Sequence, residues 1–113
     1  MKPCLEVIVQ FVPMDNGHRV RQFYINGGGG YERGYSPHLR VIGDDEYLGV
    51  EFIEGPDRPI SPGKFVTAKV LLMYYPNVSY SKLKVGKEFE ILEGALIVGI
   101  GCVKSPISFE ELS

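Results

Sequence analysis

Tryptophan is absent from the 113 residues, and cysteine and histidine occur only twice each. Cys4 and Cys102 stand near opposite ends of the sequence, with His18 and His38 between them, so no spacing of a structural zinc site exists. The two thiols are read as small buried residues on neighbouring strands, since a disulfide is disfavoured in a reducing compartment. An excess of one charge is missing as well. With 12 basic against 14 acidic side chains and a net charge of -2, the chain lacks the bulk positive field of a DNA binder or a membrane-coating protein. No stretch approaches the roughly 20 apolar residues that span a bilayer. Met1 to Gln10 alternates in polarity, where a secretion signal would be continuously apolar. The expectation is an unprocessed cytoplasmic protein that engages neither membrane nor DNA.

Glycine and proline are plentiful, with 14 and 8 residues spread along the whole chain, so they punctuate many short elements. Leu5, Val7, Val9 and Phe11 share one face of an extended segment that stops at Pro13 and the Asp15-Asn16-Gly17 turn. Val20–Asn26 alternates again and stops at Gly27–Gly30. Pro37–Ile42 and Tyr47–Ile53 read as a hairpin, with Leu39, Val41, Leu48, Val50 and Phe52 inward. Ser61-Pro62-Gly63 opens the longest strand, Phe65–Tyr75, and a second hairpin follows from Glu88–Leu92 through Glu93-Gly94 to Leu96–Lys104. No helical stripe of more than about ten residues occurs. The reading is all-β: a six- or seven-stranded antiparallel Greek-key barrel, closed or nearly so. A single domain spans residues 1–113, with the barrel over about 5–104 and a short tail over 105–113. Ser108-Phe109-Glu110-Glu111 has the form of a capping box, so at most one helical turn is expected there.

Three segments carry a resemblance. Gly34-Tyr35-Ser36-Pro37-His38-Leu39 enters a strand, and Ile60-Ser61-Pro62-Gly63 opens a long apolar strand ending in Tyr75-Pro76. Phe89-Glu90-Ile91-Leu92-Glu93-Gly94 then returns through Ile97-Val98-Gly99-Ile100-Gly101-Cys102-Val103, the most specific of the three because a tight barrel corner needs glycine backbone. In this order they resemble the C-terminal β-barrel, domain 3, of translation elongation factor Tu. The resemblance covers roughly Leu5 to Lys104 and implies a barrel that holds macromolecules: the T-stem side of aminoacyl-tRNA, an exchange factor, or the factor's own nucleotide domain. Cationic residues common in that family are neutral here at Ser36 and Leu92, which favours a protein partner over RNA.

Catalytic chemistry finds little to stand on. Glu88 and Glu90 lie on the solvent face of an alternating strand, and Glu93 follows at the turn, with no His or Lys in sequence reach. Ser36 and Ser61 lie outside any GxSxG elbow. The richer segment, around His18 to His38, holds Arg19, Arg21, Arg33 and Arg40 with Tyr24, Tyr31 and Tyr35 interleaved around the glycine run. Arginine forks and tyrosine faces serve both protein and RNA hot spots, so Arg19, Arg21, Tyr31, Arg33, Tyr35 and His38 are the candidate partner-binding residues. Lys82, Lys84 and Lys87 with Tyr74, Tyr75 and Tyr80 form a second cluster, read as an exposed edge protected by charge. The expectation is a non-catalytic interaction module without cofactor or metal that engages a protein, as a mimic of the factor or a neutralising partner of something that grips it. The alternative is an RNA-binding module; a small-ligand or enzymatic barrel stands third.

Val85-Gly86-Lys87 lacks the GxxxxGK[ST] glycine spacing and the following Ser or Thr, so nothing cradles a nucleotide phosphate. Calorimetric titration of GTP into the purified protein should give no saturable heat; micromolar binding would contradict this reading.

Overall fold

Strict alternation along β1 (Lys2–Phe11) sends Leu5, Val7, Val9 and Phe11 into the interior, where all are fully buried, and leaves Glu6, Ile8 and Gln10 on the outside. The same period governs β2 (His38–Val41) and β3 (Leu48–Glu54), which bury Leu39, Val41, Leu48, Val50 and Phe52. It also governs β4 (Phe65–Leu72), and it holds in β5 (Glu88–Glu93) and β6 (Leu96–Val103) up to a register shift at Ile91/Leu92, where Leu92 and Val98 are buried as well. A short β7 (Ser108–Glu110) ends the set. The computed structural model describes residues 1–12, 35–56 and 63–111. The expected strand Val20–Asn26, the turn before it and the glycine run lie outside the described residues.

All the strand pairings are antiparallel, in the order β4-β3-β2-β5-β6-β1, and β4 returns to β1, so six strands close into a barrel. β2, β3 and β4 follow one another as a meander, and β5 comes back beside β2 after the long 73–87 connection. This is a Greek key. Closure leaves none of the six barrel strands as an edge. Inside, Phe11, Phe52 and Phe89 fill the space with the aliphatic residues of all six strands.

Four details differ from the sequence expectations. β4 ends at Leu72 rather than Tyr75, because the amides of Tyr75 and Val78 bond back to the carbonyls of Leu72 and Tyr74 and turn the chain. β1, with 10 residues, is therefore the longest of the described strands. Tyr80, grouped by sequence with an aromatic surface, is buried: its hydroxyl donates to the Gly49 carbonyl at 2.6 Å and accepts the Tyr74 amide at 3.1 Å. The Lys82–Val85 stretch is no edge strand, since it is a run of turns tied by Leu83 N–H to Tyr80 O and Lys87 N–H to Lys84 O, with Leu83 buried. Finally, Ser108–Glu110 is a strand rather than a helical turn. It pairs with the first residues of β1 on the side that β6 occupies further along, so β7 continues the line of β6 past an interruption at 104–107. Tertiary pairing supplies partners that a three-residue helix could not make for itself.

Cys4 is buried in β1, and Cys102 sits on β6 opposite Ile8. Four residues of strand put roughly 13 Å between the two levels, well beyond the roughly 7 Å reach of a disulfide. Both thiols are free.

Gly99 and Gly101 point inward on β6. A methyl group on Gly101 would stand 2.6 Å from the Ile8 carbonyl oxygen and 2.6 Å from the Phe89 ring; on Gly99 it would stand 2.7 Å from the Gln10 carbonyl. Backbone cannot yield as a side chain can, so Gly101→Ala should cost about 3 kcal/mol through overpacking. Gly43→Ala meets open space and pays only for its φ of 86°, about 1 kcal/mol. Urea denaturation of the two variants against wild type checks that order.

Candidate interaction surface

Of the residues singled out for partner binding, Arg19, Arg21, Tyr31 and Arg33 lie outside the described residues. Tyr35 extends the line of β2, its carbonyl accepting the Phe52 amide at 2.9 Å. Its half-buried ring packs against Phe11 and Phe52, with centroids 6.2 and 5.6 Å apart, and its hydroxyl donates to Glu93 Oε2 at 2.7 Å. Tyr35 therefore plugs one end of the core. His38 opens β2 beside Leu39, which points in, so the imidazole faces out, 5.7 Å from the Tyr47 ring. The two side chains serve different surroundings.

The three glutamates of the β5 hairpin also separate. Glu90 faces β2 and accepts Arg40 Nη2 at 2.9 Å and Nε at 3.3 Å, while the guanidinium lies 5.4 Å over the Tyr47 ring. Glu93 takes the Tyr35 hydroxyl, and Glu88 is exposed. Spread over different partners, they form no acid-base pair. Among the described residues no three His, Cys, Asp or Glu side chains gather as metal ligands would, and no helix is long and apolar enough to cross a membrane.

What the structure does assemble is a groove on the outer face. Gln10 lies opposite Phe65 on one side and Ile100 on the other, so both apolar side chains emerge at the same level of the barrel wall. Ile42, whose amide bonds to the Glu88 carbonyl, brings a third apolar side chain from the end of β2. With Cys102 and Glu88 they line a groove of about 330 Å³ in which Phe65 is 61% exposed, Ile42 55% and Ile100 42%. Leu96 and Ile97, also exposed, stand further along β6. Sequence reasoning passed over these residues. A usable signal was present, because Gly99 and Gly101 must face the crowded interior and Ile100 between them must then face out.

Beyond Ile42 a second hollow of about 350 Å³ opens, lined by Ser81, Lys82, Lys84, Lys87 and Asp44. Lys82 is committed: its ammonium sits 3.0 Å from Asp44 and 3.2 Å from Glu46, and these bonds raise its pKa. Asp44 is held below the usual carboxylate range, first by the Glu46 amide and then by Lys82. Lys84 and Lys87 make no ion pair with any of the described residues. The second cluster named from sequence thus divides into a neutralised lysine and two that pair with none of the described residues.

No protein-family model and no curated protein matches the chain.

On the opposite flank Lys69 stands on the outer face of β4, 2.7 Å from Glu110 of β7 and 3.6 Å from Glu54. The ammonium and the Ser108 hydroxyl hold the Glu110 carboxylate below its ordinary value of 4.5. A depressed carboxylate contributes in full above that ordinary value and loses its contribution as pH falls through the lower folded one. The amide resonances of β7 should therefore hold steady from neutral pH down to the ordinary glutamate range and move below it. Glu110→Gln should show the displaced resonances at every pH and no acid step, as read by NMR titration.

Proposed function

We propose that this protein is a non-catalytic interaction module that binds a protein partner on the outside of its barrel. The observation that carries the reading is the groove of Phe65, Ile42 and Ile100, an exposed apolar patch rimmed by polar groups on a barrel whose interior is filled by its own side chains. Apolar area of this kind costs free energy in water and marks contact surfaces. Its edge is polar and ordered, with the Arg40–Glu90 pair and Tyr47 beside it, which suits the rim of a protein interface. The resemblance to domain 3 of elongation factor Tu supports the same class of function. In that reading the barrel acts as a mimic of the factor or as a neutralising partner of a protein that grips it.

RNA binding is the second reading, favoured by Lys84 and Lys87 lining the hollow without a described carboxylate partner. The net charge of -2 and an apolar rather than stacked aromatic groove weigh against it.

The test is capture from a lysate of the source cells, with and without nuclease, on wild type and on a Phe65→Asp/Ile100→Asp variant. Both positions are on the outer wall, so the variant should melt close to wild type. A nuclease-resistant protein retained by wild type and weakened at least about tenfold on the variant is the expected result, the scale of losing a hot spot. Retention abolished by nuclease would transfer the function to RNA.

A further inference from the structure

The apolar groove and the lysine-lined hollow share a wall, Ile42. On one side of it lie Phe65, Ile100 and Cys102; on the other lie Lys84 and Lys87, which no described carboxylate pairs. Asp44 is not available to them, since it is bound to Lys82 and to the Glu46 amide. We infer that the two hollows form one bipartite site for an extended segment of another protein, which places an apolar side chain beside Phe65 and Ile100 and an Asp or Glu side chain beside Lys84 and Lys87. This inference rests on the protein-binding reading above and names the chemistry of the partner.

Three features point to that occupant. Charge is complementary on the lysine side only: Glu88 lines the apolar groove and repels a carboxylate placed there, so the acidic residue is directed across Ile42 and the segment acquires an orientation. The described residues that line the apolar groove include no lysine or arginine, whereas Lys82, Lys84 and Lys87 line the other hollow. In an extended chain, side chains two apart project the same way roughly 7 Å from one another, a step suited to two hollows with one residue between them. A rigid wall also lowers the ordering cost of binding, as Ile42 is tied through its amide to β5 and Phe65 and Ile100 stand on barrel strands.

The experiment is selection of a random dodecapeptide library displayed on phage against the intact protein, followed by titration of the enriched peptides made synthetically. Enriched sequences should carry Asp or Glu within about three residues of an aliphatic or aromatic residue. Each should bind at least about tenfold more weakly to Lys84→Glu/Lys87→Glu and to Ile42→Asp, the scale of a lost hot spot. Lys64→Glu, next to Phe65 in sequence but outside the lysine hollow, should change affinity by less than about threefold, as expected of a rim charge. Melting curves of all variants exclude unfolding as the cause. Enriched peptides without an acidic residue, or peptides that bind the double lysine variant as well as wild type, overturn the inference and leave the protein-binding reading standing. Failure to enrich any peptide overturns the inference too. If, in addition, a random RNA pool is retained by wild type and lost by the lysine variant, both readings fall.

Discussion

How closely β6 can approach β1 controls the rest of this molecule. Gly99 and Gly101 remove the side chains that would collide with the carbonyls of Gln10 and Ile8, and the space they vacate is taken by the Ile91 side chain and the Phe89 ring. With that contact made, β1 holds β4 on one side and β6 on the other and the sheet closes. Closure in turn satisfies the backbone of every barrel strand, which an open sheet of the same length would leave partly exposed. A pair of glycines therefore underlies both the packing of the interior and the absence of edges in the barrel wall.

The same constraint shapes the outer face. Because the glycines of β6 must point in, Ile100 must point out, and the register of β1 sets it level with Phe65 across Gln10. The pairing of Phe65 with Ile100 in the apolar groove is a consequence of the closure contact and stands on barrel strands, with Ile42 added from the turn after β2. Its neighbour, the lysine hollow, is built by a different means. The long connection between β4 and β5 is anchored by Tyr80, whose hydroxyl bridges the Gly49 carbonyl and the Tyr74 amide, and by buried Leu83. These anchors bring the following lysines against Ile42 and the Asp44 turn. An anchor of this kind lets an irregular segment carry charged side chains at defined positions.

Lys69 plays a comparable part on the other flank, joining β7 to β3 and β4 through Glu110 and Glu54. β7 lies beyond the end of β5 and, among the described strands, pairs with β1 alone, so its attachment relies on few backbone bonds and on this ion pair. Such pairs contribute modestly when partly exposed and respond to pH and salt. The barrel proper does not depend on them.

Residue order by itself determined the all-β class and the inward faces of β1, β2 and β3, because a period of two in apolar residues has one packed solution per strand. It also determined both hairpins and the glycines of the β6 corner. Tertiary structure decided what pattern cannot encode: which strands meet around the ring, that Tyr35 turns into the core, and that the Ser108–Glu110 stretch is drawn into a strand by β1. It decided as well that Lys82 is neutralised by a turn 38 residues away while Lys84 has no such partner among the described residues. Pairing across the barrel and ion pairing across long loops join residues distant in sequence. Their partners emerge only when closure fixes which strands are neighbours.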